Sequence, residues 1–343
     1  MSFQIEIIKS FSRNIIMILV LHLMLVFISC NSREAGQINS EKDVLQPFLP
    51  QKMKKFPNVR DFALSPGGKE IYFTVDSYKK DFSFIATMTL VGEEWSLPRI
   101  ADFSGQYKEL EPAFSPDGLQ LYYASKRPIT DSDSTEKTDY DIWYVKRNEI
   151  RSNWSKPINI GFPINTEGNE FYPSIALSGN LYFTAERHDS KGREDIYLST
   201  KENNKYSEPV SLDTAINTQY FEFNAYVSPD ESLIVFSSYG REDGMGGGDL
   251  YYSIKDENNQ WNASRNAGTN INSPQLDYCP FVDYTNGKLF FSSERNTINY
   301  NGIVAKSINE ILLKMNQYGN GMCRIYSINL AETDIPFDLT RND

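Results

Sequence analysis

Five copies of one short pattern recur along the 343 residues, and a chain written this way has to fold as a set of equivalent modules. The clearest copy is PAFSPDGLQLYYASKR, Pro112 to Arg127, and the others begin at Phe62, Pro173, Ala225 and Pro280. Aligned on Ser65, Ser115, Ser178, Ser228 and Thr285, the copies lie 50, 63, 50 and 57 residues apart. That period points to a propeller or an array.

Each copy opens with a short apolar segment, turns on Ser-Pro-Asp-Gly or a decayed form of it, and continues into an aromatic-rich run such as Leu121-Tyr122-Tyr123. Proline presets φ at the second turn position and glycine accepts φ > 0, so the pattern predicts two strands and a tight turn. A third strand reads as Asp-apolar-aromatic, at Asp141, Asp195 and Asp249. A fourth is expected from near Trp95, Trp154, Tyr206 and Trp261, leading through Ile-Asn pairs (Ile164-Asn165, Ile216-Asn217, Ile271-Asn272) into the next copy. Four strands per unit make a propeller blade, so the reading is an all-β propeller of five antiparallel blades, with six as the alternative count. Leu45 to Pro50 and Ile335 to Thr340 compete to complete the last blade, and the N-terminal segment has the better spacing.

Pro-x-Phe-Ser-Pro-Asp-Gly followed by Asp-Ile-Trp-Tyr resembles the WD-like repeat of TolB-type β-propellers. The extended pattern, with Ile-Asn-Thr at Ile164 to Thr166 and Ile216 to Thr218 and Gly-Gly-x-Asp at Gly246 to Asp249, is similar to versions in envelope lipoproteins of Bacteroidetes-type bacteria. The resemblance spans about residues 45 to 330 and implies the fold. Propellers carry enzymes, scaffolds and receptors alike.

Ahead of the repeats, Lys9 and Arg13 precede an apolar run from Ile15 to Ile28 that ends in Phe27-Ile28-Ser29-Cys30. A basic region, a short hydrophobic core and a small residue before cysteine resemble a bacterial lipoprotein signal. The expected organisation is a signal peptide over 1–29, lipidation at Cys30, a polar tether over 30–44 and one propeller domain over 45–343. The formal charge of −11 suits neither nucleic acid nor anionic headgroups, which demand basic patches. The expected setting is the cell envelope, with membrane contact through the lipid anchor alone.

The sequence offers little conventional chemistry. His188 is the one histidine beyond the signal and has no nucleophile motif beside it; no cofactor or metal is expected. Asp131 to Glu136 lacks the glycine and final glutamate of a calcium loop, and Gly244 to Gly248 lacks the Lys-Ser/Thr of a phosphate loop. Cys279 and Cys323 fall on the first and third strands of one blade, about 10 Å apart at ordinary strand spacing, and read as free buried thiols.

One constellation repeats. Glu109, Glu170, Glu222 and Asp277 occupy the same place before the first strand, and Arg127, Arg187, Arg241 and Arg295 the same place after the second. They are expected as a ring near the channel mouth, paired acid to arginine within the architecture; the first copy has Val59 and Ser77 instead. The fifth copy carries an insert, Thr297 to Met322, whose apolar residues recur at helical spacing and end at Gly319. It reads as an amphipathic helix packed as a plug or lid, with partner docking as the alternative. The functional expectation is a non-enzymatic binding or scaffold module for an envelope protein or glycan. Its alternative is a carbohydrate-active enzyme whose channel-mouth carboxylates escape their arginines and act as acid and base.

Overall fold

Five antiparallel four-stranded sheets form the blades of a β-propeller. The computed structural model describes residues 45–130, 135–302, 304 and 307–337. The signal segment, Cys30 and most of Asp131 to Glu136 lie outside them. The first strands, Asn58–Leu64, Glu109–Phe114, Glu170–Ile175, Phe221–Val227 and Asp277–Asp283, touch one another in succession and surround the axis. Second and third strands follow outward by tight turns, as at Ser115, whose Oγ accepts the Gln120 amide at 2.9 Å while Gly118 takes φ 69°.

The fourth strands are only two residues long, at Arg99–Ile100, Ile158–Asn159, Val210–Ser211 and Arg265–Asn266. Trp95, Tyr206 and Trp261 belong to small hairpins beside them rather than to the blades' fourth strands. The Ile-Asn pairs explain how so short a strand suffices. Asn165 Oδ1 accepts the Ile142 amide at 2.8 Å and its Nδ2 donates to the Ile142 carbonyl at 3.0 Å, continuing the ladder with a side chain. Asn217 serves Ile196 and Asn272 serves Leu250 in the same way, while Ile164, Ile216 and Ile271 are fully buried.

Closure uses the N-terminal segment. Gln46–Pro47 pairs with Tyr326 and Ser327 as the fourth strand of blade five, which removes one exposed edge. Phe48 then enters the gap between blades five and one, 5.0 Å from Phe62 and 5.5 Å from Phe290. Each of the five gaps between adjacent blades holds its own apolar cluster, so each sheet buries both faces, as a propeller requires. Of the C-terminal competitor, the described residues 335–337 form no strand: Ile335 packs between blades four and five after a 3-10 turn at Leu330–Glu332.

The insert in blade five does form a helix, Ile308–Met315, with the Ser307 side chain accepting the Glu310 amide at its start. It buries none of its residues, and Ile308 and Leu313 are 79% and 74% exposed. The expectation of a plug packed on its blade is therefore corrected. Helical spacing predicts a helix and an apolar stripe, but burial needs a facing surface, and no residue of this helix is buried. Among the described residues no helix is long and apolar enough to cross a membrane.

Candidate active site

The repeated acids and arginines do meet. Asp277 and Arg295 approach to 2.7 Å, Glu109 and Arg127 to 2.9 Å, Glu222 and Arg241 to 3.0 Å, and Glu170 and Arg187 to 3.8 Å. All four acids are fully buried. Each guanidinium also donates to the carbonyl of the connection entering its blade: Arg127 to Phe103, Arg187 to Ile164, Arg241 to Ile216 and Arg295 to Ile271. The acids reach back four residues as well, where Thr166, Thr218 and Ser273 donate to them through hydroxyl and amide. These groups clip each connection to its own blade, and none of the eight lines the large pocket described below. Burial raises Glu109, against Ser104 and Arg127, and takes Glu170 to about 7.

A different set of residues occupies the axis. In every first strand the register against the second strand slips once, and at the slip stand Asp61, Glu111, Tyr172, Asn224 and Cys279, with φ of 59°, 62°, 46°, 51° and 54°. Left-handed backbone at such residues costs about 1 to 2 kcal/mol each, so the bulge is maintained by the surrounding ring. The freed amides find partners on neighbouring second strands: Asp61 N donates to Ser292 Oγ, Glu111 N to Thr74 Oγ1 and Asn224 N to Thr184 Oγ1, at 3.0 to 3.1 Å. The bulge turns each of these five side chains into the polar centre of the ring.

There they form one network around Glu111. Its Oε1 accepts from Arg60 Nη2 at 2.7 Å and Asn224 Nδ2 at 3.1 Å, and its Oε2 accepts the Tyr172 amide at 2.8 Å. Asp61 accepts Arg60 Nε at 2.7 Å on one oxygen and the Glu111 amide at 3.1 Å on the other. Arg60 thus stands between two carboxylates. Burial works against its charge, but Asp61 and the neighbouring Tyr278, Cys279 and Glu111 hold the guanidinium pKa well above its ordinary value. Burial pushes the Glu111 carboxyl up to about 8, with Arg60 opposing and Asp61 assisting the rise. Asp76, nearby, is likewise raised by burial against Arg60. Cys279 and Cys323 are free and buried, with burial pushing both thiols up and Cys323 Sγ 3.2 Å from the Tyr278 hydroxyl.

Glu111 and Tyr172 reach the floor of a pocket of about 1100 Å³ on the Ser-Pro-Asp-Gly side of the ring. Its walls are prolines and aromatic rings of the first strands and their turns, among them Pro112, Phe114, Pro173, Tyr226, Pro280 and Phe281. Asp283 at the end of a first strand, Asp230 in the turn after another and Lys255 just after a third strand also line it. A carboxyl raised by burial at the base of a largely apolar pocket is a group placed to give up a proton. Each carboxyl oxygen has two acceptor positions, so Oε2, with a single donor on it among the described residues, retains a place for that proton.

The axial residues escaped the sequence reading because the repeat hides them. They sit one position before Pro112 and its counterparts, in four copies between an apolar or aromatic residue and a proline or alanine and in the first copy between Arg60 and Phe62, where alternation predicts an ordinary strand. A signal was present: this column reads Asp, Glu, Tyr, Asn, Cys across the copies while its flanks repeat. Symmetry broken in one column is what a site does to a repeat.

No known family profile matches the chain, and no curated protein does. Among solved structures it is similar to the catalytic domain of the Coprinopsis cinerea GH62 α-L-arabinofuranosidase, at TM-score 0.51 and 12% identity over 85% of this chain and 96% of that one. It is also similar to an α-L-arabinofuranosidase from Lactobacillus brevis, at 0.46 and 14% over 78% and 90%. A TolB-like propeller from Agrobacterium tumefaciens gives 0.45 and 15% over 68% and 69%. At these identities the likeness is one of fold. The expectation of a non-enzymatic binding or scaffold module is nonetheless corrected. The solved structures found include the catalytic domain of a glycoside hydrolase, and Glu111, outside the four arginine clips, lines the pocket. The repeated acids were too well paired to reveal it. The chain is a five-bladed β-propeller whose axial residues Glu111 and Tyr172 line a large pocket.

Proposed function

We propose that this protein is a glycoside hydrolase whose pocket receives a glycan on the turn side of the ring, with Glu111 as the proton donor. The observation that carries the reading is Glu111 itself, a carboxyl held near pH 8 by burial at the floor of a pocket walled by proline and aromatic rings. Glu111 gives its proton to the glycosidic oxygen as the bond to the anomeric carbon breaks. Water adds to that carbon, and the proton it loses returns to Glu111. Asp61 and Arg60 position the acid and do not touch the sugar. The fold shared with a GH62 arabinofuranosidase catalytic domain supports the class of reaction and leaves the sugar open.

The test is release of reducing sugar from a panel of polysaccharides that includes arabinoxylan, arabinan, xylan and mannan. Wild-type protein should cleave at least one, and Glu111→Gln should lose about 100-fold or more of that activity in protein that circular dichroism shows to be folded. Cleavage that survives the substitution, or a panel left intact by pure wild-type protein, overturns the reading.

We further propose that the enzyme works at a bacterial cell envelope, held by acyl chains on Cys30; the basic, apolar and Ser29-Cys30 succession supports this. Cys30→Ser should abolish fatty-acid labelling, and undiminished labelling would end the proposal.

A further inference from the structure

The C-terminal segment, released from closing the ring, goes to the pocket. The Leu330 amide donates to the Gly287 carbonyl at 2.9 Å, Thr333 Oγ1 donates to the Leu330 carbonyl at 2.8 Å, and the Ile335 amide donates to Thr333 Oγ1 at 3.2 Å. Asn270 of blade four donates to the Glu332 carbonyl at 3.0 Å. Ile335 is buried between blades four and five. The two residues after it, Pro336 and Phe337, stand in the pocket wall.

Phe337 stacks on Tyr284 with ring centroids 5.6 Å apart and planes 28° from parallel. The seat beneath it depends on Gly287: this residue takes φ +60°, and a Cβ there would lie 3.3 Å from the Phe337 ring. Tyr284 is the first turn residue after the first strand of blade five. Its counterparts in the other copies are Leu64, Phe114, Leu177 and Val227, and none receives a second ring from outside the blades in this way. Thr285 and Asn286, polar and exposed, flank the pair on the same turn. An aromatic face beside short hydrogen-bonding side chains, at the edge of a pocket rather than at its floor, is the surface a pyranose ring covers: the sugar's C–H face is apolar and its rim is hydroxyl.

We propose that Tyr284 and Phe337 form an outer sugar subsite, which binds a second ring of an oligosaccharide whose reacting end lies toward Glu111. The subsite rests on the glycan reading of the pocket and is separable from it, because stacking needs no chemistry. A chain that reaches both positions gains affinity that a single sugar cannot, so the wall sets preference for oligosaccharides over monosaccharides.

Saturation-transfer NMR with xylotetraose, cellotetraose, mannotetraose and arabinotetraose tests this on full-length Glu111→Gln protein, which cannot consume them. At least one tetrasaccharide should receive saturation, and adding Phe337→Ala should weaken its binding about tenfold, while Phe337→Tyr should preserve it. Tyr284→Ala repeats the test from the blade side should the loss of Phe337 loosen the tail. Equal binding with and without both rings, or no binding by any of the four, overturns the subsite. If a tetrasaccharide binds through Phe337 and wild-type protein cleaves nothing, the subsite stands and the hydrolase reading falls. If wild-type protein cleaves a tetrasaccharide and Phe337→Ala leaves its KM unchanged, the hydrolase stands and the subsite falls.

Discussion

The hydroxyl of Tyr172, on blade three, donates to the carbonyl of Pro280, on blade five, at 2.9 Å across 108 residues of sequence. The side chain crosses the axis, so the ring's centre is closed by a phenol instead of standing open, and the pocket beneath it has a floor. The same residue's amide supports Glu111, which couples the floor to the proposed acid through one bulge.

Tyr172→Phe should cost about 1 to 3 kcal/mol, because it leaves the buried Pro280 carbonyl without its donor. Tyr172→Ala should cost about 3 to 5 kcal/mol, because it also leaves a void among Tyr278, Cys279 and Cys323. Urea midpoints for the two variants check this; equal losses would mean that the ring contributes nothing across the axis.

Glu111 and Glu170 are both raised by burial, to about 8 and about 7. The folded protein therefore holds these protons more tightly than the unfolded chain. The stability they contribute is full below the ordinary carboxyl value of 4.5 and is lost as pH rises through 7 and 8. Stability measured by urea should fall between pH 5 and pH 8, and Glu111→Gln should flatten that slope. Hydrolysis that depends on a protonated Glu111 should decline above pH 8 in the same protein. A slope unchanged by the substitution would remove Glu111 as its source.

The four clips should rank by geometry. Double-mutant cycles should give coupling of roughly 1 to 3 kcal/mol for Asp277 with Arg295 and for Glu222 with Arg241. Glu170 with Arg187, at 3.8 Å, should couple by less than about 1 kcal/mol, because the guanidinium stands beyond hydrogen-bond reach of the carboxylate. Thermal melts of single and double alanine variants provide the numbers; equal coupling at all three would contradict this ranking.

Removing residues 45–49, and everything before them, takes the fourth strand from blade five and Phe48 from between Phe62 and Phe290. The loss should be several kcal/mol, seen as a lower melting temperature and a faster-exchanging set of amides along Arg324–Asn329. Melting like the parent protein would mean that another segment completes the blade.

The spaced copies, the Ser-Pro-Asp-Gly turns and the Ile-Asn pairs determine the blades, because each acts through residues a few positions away and so is written locally. The spacing of Leu45 to Pro50 anticipates ring closure, and the matched columns of acids and arginines anticipate the clips, since one repeat's geometry is imposed on all. Three features depend on contacts between blades. The bulge at Asp61, Glu111, Tyr172, Asn224 and Cys279 reverses the expected direction of one side chain per blade, and only the hydroxyls of neighbouring second strands and the crowded axis maintain it. The raised carboxyl of Glu111 arises from burial that no single blade supplies. The place of Phe337, a few residues past the last strand, depends on a glycine fifty positions earlier and a tyrosine on the same turn as that glycine. Periodicity carries what is the same in every blade; chemistry at the axis comes from what differs, and those differences acquire meaning only when five first strands are brought together.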